Sequence, residues 1–477
     1  MSRRRTATVA LAAAALAAAG GTARAATTQV PLSTARSHLL AAFPNDRLGD
    51  SVAATGDING DGRMDFVVGA PFASHLNRVS SGTAYVIYGR TAPFTIDLRT
   101  LTAAQGFRID GPSANSRAGW DVAAGDINGD GRFDVVVGAP GADSRGRIDN
   151  GSAFVIFGRQ GTNANVNLAA LGTRGFRIDG SRSSDRAGES VSVAGNINGD
   201  PRADVVVGAP AEDPNGVTDA GAGHVVFGKI STGAVDLRSV GALGYSTWGT
   251  ERSGQVGASV AALGDVNGDR RDDVALGAPG VVGGGLLTRP GGAVWGVWGK
   301  STTTRISLGA QGPLYFKVVG SVQNDRLGAG VAGVGDVNQD GLNDLVMGTV
   351  AHGPEPGYVP VLFGLPYVGT VDSRALPGFS IVPDYGSAVT GVGSVGGSIA
   401  PDIAVGRFVI FGRATQTPVD TRNLGAGGFA LTAPADQVID AIRAGGPMDY
   451  DNDGRGDLFT QVTRIGGPYR VDLVPVP

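Results

Sequence analysis

Short apolar runs that end in glycine recur along the chain, and each follows a segment rich in acidic residues and glycine. The clearest runs are residues 66–69, 135–138 and 205–208. Because β-branched runs of this length bounded by turn residues are typical of strands buried on both faces, we expect each run to be a central strand. A shorter stretch before each acidic segment, such as residues 51–54, predicts a first strand.

Two more strands are predicted after each central run. A third apolar run ends at a glycine, as at Gly89, Gly158, Gly228 and Gly412. An aromatic residue marks a fourth strand, and these residues are Phe107, Phe176, Tyr245, Phe316, Phe379 and Phe429. Each repeat therefore has the signals of a four-stranded sheet.

The acidic segments show how many units the chain contains. They occupy residues 57–65, 126–134, 196–204, 265–273, 336–344, 394–402 and 449–457, with shorter spacing before the last two. Seven units of four strands predict an all-β fold, a seven-bladed β-propeller with four-stranded blades. A linear β-solenoid and a row of small domains are the alternatives.

The two ends of the chain complement each other. The last strand signal, residues 469–473, is a third strand and leaves the seventh unit without a fourth. Residues 37–40 align with the fourth strand of the first unit, residues 107–110. We therefore expect the N-terminal strand to complete the last blade, which closes the propeller and removes its open sheet edges.

The N-terminus has the pattern of a signal peptide. Arg3, Arg4 and Arg5 precede an apolar run over residues 9–19, and Ala23-Arg24-Ala25 supplies a small-residue cleavage pattern. We expect residues 1–25 to be removed and residues 26–477 to form the propeller, secreted outside the cell by a route that the sequence leaves open. No later segment is apolar enough to span a membrane.

Composition limits the partners and the sources of stability. The chain contains no cysteine, so a packed core rather than disulfides must stabilise the exported protein. The net charge of −4 argues against a nucleic-acid partner. We expect a monomer without a membrane span that recognises an extracellular protein or glycan.

The acidic segments have the spacing of calcium loops. Side chains at positions one, three, five and nine, with the carbonyl of position seven, offer one ion hard oxygen ligands, and there is no nearby His or Cys. The predicted ligands are Asp57, Asn59, Asp61, Arg63 and Asp65; Asp126, Asn128, Asp130, Arg132 and Asp134; Asp265, Asn267, Asp269, Arg271 and Asp273; Asp336, Asn338, Asp340, Leu342 and Asp344; and Asp449, Asp451, Asp453, Arg455 and Asp457. Several Ca²⁺ ions are therefore expected, the alternative being plain Asn-Gly and Asp-Gly turns.

The loops differ in expected strength. In the fourth loop Arg270 stands where glycine would ease a positive φ. The third loop has Asn196 in place of an acid and Pro201 at that same sixth position, so we expect weak binding. The sixth loop retains only Asp402 and should be empty. The four carboxylates of the seventh loop should bind most tightly.

These repeats resemble the FG-GAP repeats of the integrin α-subunit head over nearly the whole mature chain. The GAP element is matched by Gly69-Ala70-Pro71, Gly138-Ala139-Pro140, Gly208-Ala209-Pro210 and Gly277-Ala278-Pro279. The resemblance implies a propeller with calcium between the first and second strands of a blade, and ligand contacts from loops on the opposite face. The Phe of the FG element is replaced, as in Leu48-Gly49, and integrin leg domains are absent.

Other candidate features favour structural roles. Arg455-Gly456-Asp457 spells an adhesive tripeptide, but Asp457 belongs to a calcium loop. His38, His75, His224 and His352 are scattered, which indicates ordinary surface or loop histidines rather than a catalytic site. The second-to-third-strand loops are long, at residues 71–81, 140–150, 210–221 and 279–290. Such loops are typical of binding surfaces, the alternative being tolerated surface variation.

Three functions fit the sequence. A calcium-stabilised binding or adhesion module is favoured. A secreted hydrolase or lyase acting on polysaccharide or lipid headgroups is the alternative, because propellers host both roles. A structural coat component is a third.

Overall fold

The computed structural model describes residues 27–54, 56–282, 290–309, 312–350, 358–364, 366, 368–382, 388–395, 399–445, 450, 457–464 and 468–475. The predicted signal peptide, residues 1–25, lies outside this range. Within it the chain is built from β-strands and three-residue 3-10 turns, and no helix is long and apolar enough to cross a bilayer.

The strands are short and follow one another along the chain at regular intervals. In the first part of the chain they are β1 (Thr28–Pro31), β2 (Ser37–Leu40), β3 (Val52–Ala54), β4 (Phe66–Ala70), β5 (Thr83–Ile87), β6 (Thr95–Asp97), β7 (Gly106–Asp110), β8 (Val122–Gly125), β9 (Asp134–Ala139), β10 (Ser152–Ile156), β11 (Val166–Asn167) and β12 (Gly175–Asp179). Next come β13 (Ser190–Ala194), β14 (Asp204–Ala209), β15 (Ala222–Val226), β16 (Val235–Asp236), β17 (Gly244–Trp248), β18 (Ser259–Gly264), β19 (Asp273–Ala278), β20 (Ala293–Val297), β21 (Ile306–Ser307) and β22 (Tyr315–Val319). The last are β23 (Gly330–Gly335), β24 (Asp344–Gly348), β25 (Val359–Leu362), β26 (Gly369–Asp372), β27 (Gly378–Val382), β28 (Val389–Gly393), β29 (Asp402–Val405), β30 (Phe408–Ile410), β31 (Val419–Asp420), β32 (Gly428–Thr432), β33 (Gln437–Gly445), β34 (Asp457–Arg464) and β35 (Tyr469–Pro475).

Nine 3-10 turns connect strands within the described residues. They are Leu32–Thr34, Leu98–Thr100, Leu168–Ala170, Gly172–Arg174, Pro214–Gly216, Leu237–Ser239, Gly241–Leu243, Thr421–Asn423 and Gly425–Gly427.

Seven sheets form the blades of a β-propeller, as the repeats predict. The strand orders, numbered here as blades one to seven, are β3-β4-β5-β7-β11, β8-β9-β10-β12-β16, β13-β14-β15-β17-β21, β18-β19-β20-β22-β26, β23-β24-β25-β27-β31, β28-β29-β30-β32-β1 and β33-β34-β35-β2-β6. The first four strands of each blade are antiparallel, and each predicted aromatic lies on the fourth strand.

Each blade has a fifth strand, so the predicted count of four strands is one too low. The fifth strand lies on the outer edge and runs parallel to the fourth; in blade one, Val166 of β11 lies opposite Ile109 of β7. It comes from the segment that directly precedes the fourth strand of the next blade, as β11 precedes β12. Several fifth strands have only two residues, too few to show a periodic pattern in the sequence.

The seventh blade contains strands from both ends of the chain. Strand β2 pairs antiparallel with β35, so that Ser37 lies opposite Leu473 and Leu40 opposite Arg470. This is the pairing predicted for residues 37–40. Strand β1 also pairs with β32 of blade six. The N-terminal segment therefore contributes to two blades.

The blades pack through their inner strands and buried side chains. The first strands β3, β8, β13, β18, β23, β28 and β33 each contact the next, and β33 contacts β3. Every residue of β4 and β5 is buried. Leu39 and Phe459 of blade seven share a core cluster with Phe66 of blade one. Such apolar contact between sheets supplies most of the stabilising free energy.

The glycines of the GAP element allow neighbouring blades to approach closely. A Cβ on Gly69 would lie 2.1 Å from the carbonyl oxygen of Gly119 in the next blade. The same contact recurs at 2.2 Å between Gly138 and Gly188. Any larger residue would force the two backbones apart, which explains why glycine repeats at both positions.

Candidate functional site

The acidic loops are the seven segments that join the first strand of each blade to the second. The first loop runs from Asp57 to Asp65 and connects β3 to β4. In the other blades the ninth residue of the loop is the first residue of the second strand, as with Asp134 in β9. All acidic loops therefore lie at the same end of their blades.

Hydrogen bonds shape the first acidic loop around its carboxylates. Asp57 Oδ1 accepts hydrogen bonds from the backbone N–H groups of Gly60 (2.6 Å) and Asp61 (3.2 Å), and Asp57 Oδ2 accepts one from Gly62 (2.7 Å). Asn59 Oδ1 accepts another from the N–H of Asp61 at 2.9 Å. The side-chain oxygens of the first and third residues therefore hold the backbone of the turn in place.

The loops that begin at Asp126, Asp265 and Asp336 repeat this arrangement. In each, the first Asp accepts hydrogen bonds from the backbone N–H groups of the fifth and sixth residues. The third residue, an Asn, accepts one from the fifth. Four loops thus share one conformation.

The sixth position has a positive φ in these loops, as the sequence predicts for Arg270. The φ angles are 84° at Gly62 and 67° at Arg270. The third loop differs because Pro201 has no N–H to donate. The N–H of Gly199 still donates to Asn196 Oδ1 at 2.7 Å, as that of Gly60 does to Asp57.

The ninth residue of each loop is a buried aspartate. Asp65 is fully buried, and its two oxygens accept hydrogen bonds from the N–H groups of Ile58 (2.8 Å) and Gly89 (2.9 Å). Burial, with repulsion from Asp61 and Asp57, raises the pKa of Asp65 to about 7. A bound cation would relieve this cost by favouring the charged carboxylate.

The same aspartate is present where the other ligands are missing. Asp402 in the sixth loop is fully buried and accepts hydrogen bonds from the N–H groups of Val395 (2.7 Å) and Gly412 (2.8 Å). Asp204 in the third loop makes the corresponding bonds to Ile197 and Gly228. The ninth aspartate therefore has a structural role even where the other predicted ligands are absent, and the spacing of the acids does not predict that role.

The donor chemistry of the loops fits a hard cation. Asn59 Nδ2 lies 3.2 Å from Asp61 Oδ2, so the third and fifth side chains meet. In the described residues, however, no three His, Asp or Glu side chains are grouped closely enough to hold a metal ion. The carboxylates are engaged instead by the amides of their own loop. In the seventh loop, residues 449 and 451–456 lie outside the described range; Asp457 Oδ2 accepts a hydrogen bond from the N–H of Tyr450 at 2.8 Å.

Within the described residues, a hydrogen bond links each of the first four acidic loops to the next blade. The N–H of the eighth residue donates to the carbonyl of the first residue of the preceding loop, as from Phe133 to Asp57 (3.1 Å) and from Asn343 to Asp265 (3.0 Å). At the next junction the eighth residue is Pro401, which has no N–H to donate. The loops thus help to fix the blades relative to one another.

One of the histidines differs from its predicted surface or loop environment. His224 on β15 is fully buried: its Nε2 lies 2.8 Å from Glu212 Oε2 and its Nδ1 lies 2.8 Å from Ser246 Oγ. His38 on β2 contacts Asp472 at 2.8 Å, and His75 contacts the hydroxyl of Tyr85 at 3.2 Å. His352 lies outside the described residues. The description of His224 as an ordinary surface or loop residue is therefore wrong.

Comparison with known proteins supports the repeat assignment. The sequence model of the FG-GAP repeat matches residues 48–87, 118–156 and 187–226. Phosphatidylinositol-glycan-specific phospholipase D of Bos taurus is 32% identical over 255 residues, which cover 52% of this chain and 28% of that protein. Integrin alpha-6 of Homo sapiens is 32% identical over 169 residues, covering 35% of this chain and 13% of that protein.

A solved structure, the rhamnogalacturonan lyase YesW, aligns with a TM-score of 0.41 and 10% identity over 90% of this chain and 72% of that one. The chain spans less than a third of the length of the two sequence relatives described above. The matched segments 48–87, 118–156 and 187–226 each begin one residue before the glycine that precedes the first strand and end with the third strand of the same blade. The chain therefore contains three segments that match the FG-GAP repeat, and it is similar in sequence to parts of integrin α subunits and of phosphatidylinositol-glycan-specific phospholipase D.

Proposed function

We propose that this chain is an exported, calcium-stabilised propeller that binds an extracellular protein or glycan. The acidic loops supply the first support, because four of them share one conformation and one set of oxygen donors suited to Ca²⁺. Asp57, Asn59, Asp61 and Asp65, with the carbonyl of Arg63, would hold the ion in the first blade. Bound calcium would neutralise the loop carboxylates and strengthen the junctions between blades.

The observation that best supports a binding role is a set of exposed apolar side chains on the opposite ends of the blades. In an antiparallel blade, the loop after the second strand lies at the end opposite the loop after the first. Val79 in blade one is 68% exposed and Ile148 in blade two is 67% exposed, both in these loops. Exposed apolar groups carried on a rigid scaffold are typical of surfaces that bind partners.

Calcium binding is tested by calorimetry and by thermal unfolding with calcium or with a chelator. We expect calcium to raise the melting temperature, because a ligand that binds only the folded chain stabilises it, by about 2.7 kcal/mol per site at a hundredfold excess over Kd. Heat of binding should fall in a variant that carries Asp57→Ala and Asp126→Ala. An unchanged melting temperature together with no heat of binding would contradict the calcium proposal.

Ligand recognition is tested on a protein and glycan array. The double variant Val79→Ser and Ile148→Ser should lose at least tenfold in apparent affinity for whatever the native protein captures. Ile230→Ser is the matched control, since Ile230 is 71% exposed but follows the third strand, at the end with the acidic loops. Equal losses in both variants would place the ligand elsewhere.

The enzymatic alternative has a specific basis in the similarity to phosphatidylinositol-glycan-specific phospholipase D of Bos taurus. Since the similarity covers 28% of that protein, it does not transfer the activity. Turnover of phosphodiesters or polysaccharides by the purified chain would favour the alternative over the binding role.

A further inference from the structure

The third blade contains a chain of three buried polar side chains, Glu212, His224 and Ser246, which we call the third-blade relay. Glu212 is 4% exposed, His224 is fully buried and Ser246 is 8% exposed. The Glu212 carboxylate can only accept hydrogen bonds, so a neutral His224 must carry its proton on Nε2. Its Nδ1 is then the acceptor for the Ser246 hydroxyl.

The other blades show that the fold does not need this relay. His224 lies opposite Ser246 in the sheet, and the same register places Tyr85 opposite Arg108, Phe154 opposite Arg177 and Trp295 opposite Lys317. Blades one, two and four therefore have an aromatic ring beside a cationic side chain at this position.

Glu212 is equally unusual among its counterparts. Its N–H donates to the carbonyl of Ala209 in the turn after the second strand, and the residues at that place in blades one, two and four are Ala73, Ala142 and Val281. Burying three polar groups in contact with one another costs free energy unless every group is paired. A departure from the repeat at three contacting positions at once indicates a function.

The relay ends at a cavity on the outer rim of blade three, which we call the rim cavity. Its volume is about 500 Å³, and both Ser246 and Glu212 line it. The other charged residues in its lining are Arg182, Arg238 and Arg305. With Glu212 already bound to His224, the cavity has an excess of positive charge that favours an anionic ligand.

We propose that the third-blade relay is a hydrolytic site for carboxylic esters that carry a negative charge. Ser246 Oγ attacks the ester carbon while its proton passes to His224 Nδ1, and Glu212 stabilises the resulting imidazolium. The C–O bond to the alcohol then breaks, and the alcohol leaves with the proton from His224. Water, deprotonated by His224, cleaves the acyl-serine to release the acid and restore the hydroxyl.

The arginines give the site its substrate preference. The guanidinium of Arg305 stacks on the ring of Trp248 at 3.4 Å, which fixes its position at the cavity. Positive charge there attracts the anionic group of the substrate and stabilises the oxyanion that forms on the ester carbonyl.

Labelling with a fluorophosphonate, which reacts with activated serines, tests the relay directly. Mass spectrometry of the full-length protein should find the adduct on Ser246. Ser246→Ala should abolish it, and His224→Gln should slow labelling at least tenfold. Ser380→Ala is the matched control, because Ser380 is the residue of β27 opposite Pro360 in the same register of blade five and has no histidine beside it. The absence of an adduct on Ser246 in the folded native protein would overturn the proposal.

A second variant separates catalysis from folding. Glu212→Ala, His224→Phe and Ser246→Arg together copy the residues of blade two. This variant should unfold at a temperature no lower than the native protein and should not be labelled. The native protein should hydrolyse the anionic ester 4-nitrophenyl hydrogen succinate faster than the neutral ester 4-nitrophenyl acetate. Arg238→Gln should reduce this difference in rate. Ester hydrolysis that survives in the triple variant would overturn the assignment to Ser246.

Discussion

The sixth residue of the first and fourth acidic loops has a positive φ, and this conformation is strained when the residue is not glycine. Arg270 has a φ of 67° where the equivalent Gly62 has 84°. A side chain in this region costs about 1–2 kcal/mol, whereas glycine loses about 0.5–1 kcal/mol more conformational entropy on folding. Arg270→Gly should therefore raise the free energy of unfolding by up to about 1 kcal/mol, as measured by urea unfolding in chelator.

The reverse substitution is the control. A Cβ on Gly62 would meet no atom within 4 Å, so Gly62→Ala tests backbone conformation without a steric clash. It should lower stability by a similar amount. Changes of the same sign in both variants would contradict the strain interpretation.

A buried acid beside the third-blade relay predicts an unusual pH dependence. Burial, followed by repulsion from Glu212, raises the pKa of Asp185 to about 7. The folded chain therefore binds this proton more tightly than the unfolded chain. The stabilisation is fully present below about pH 4 and is lost as the pH rises toward about 7.

Asp185→Asn should remove this loss. Between about pH 4 and pH 7, stability should fall less steeply in the variant, by up to about 1.4 kcal/mol per pH unit. Asp149→Asn, at an exposed position, should retain the native slope. Urea unfolding across this pH range measures the slopes, and equal slopes in native protein and Asp185→Asn would disprove the assignment.

Among single residues, the sequence predicts those that repeat and misses those that interrupt the repeat. The acids of the loops were identified because they recur at fixed spacing. His224 and Glu212 were missed because their contact joins a turn to a strand, which the spacing of residues in one unit does not show. The sequence does contain a signal, since both residues break the apolar pattern of the equivalent positions in blades one, two and four.

At the scale of the elements, the ninth aspartate ties its loop to the end of the third strand. Asp402→Ala should therefore destabilise the chain even in chelator, by about 2 kcal/mol or more, because it leaves the amides of Val395 and Gly412 without their acceptor. The control Asp57→Ala removes an acceptor of more exposed amides and should cost less than half as much. Thermal and urea unfolding give both values, and a larger loss for Asp57→Ala would refute this role.

The strands show where pattern reasoning succeeds and fails. Central strands such as β4 are apolar throughout and bounded by turns, so their sequence is unambiguous. The outer strand β11 is recognised by its pairing partner β7 and contains two residues, so no local signal identifies it. Hydrogen bonding between distant segments is decided by tertiary structure, which a single unit of sequence does not contain.

At the scale of the whole molecule, the N-terminal segment joins blades six and seven. A chain that begins at Ala41 lacks β1 and β2, which leaves β32 and β35 with open edges. We expect this chain to unfold at lower temperature and to aggregate, since open edges pair with other chains. A chain that begins at Thr27 is the control. Light scattering during thermal unfolding measures both, and identical behaviour would show that the segment is dispensable.

The outer strands make the unit that repeats in the sequence different from the unit that folds. Each blade takes its fifth strand from the segment that forms the next blade. A single repeat therefore lacks the outer strand of its own sheet and contains the outer strand of the preceding blade. After duplication or loss of one repeat, every sheet is complete only if the new neighbouring repeat supplies an equivalent fifth strand. Blade number can therefore change in whole repeats through recombination, whereas a single blade cannot be transplanted as an independent domain.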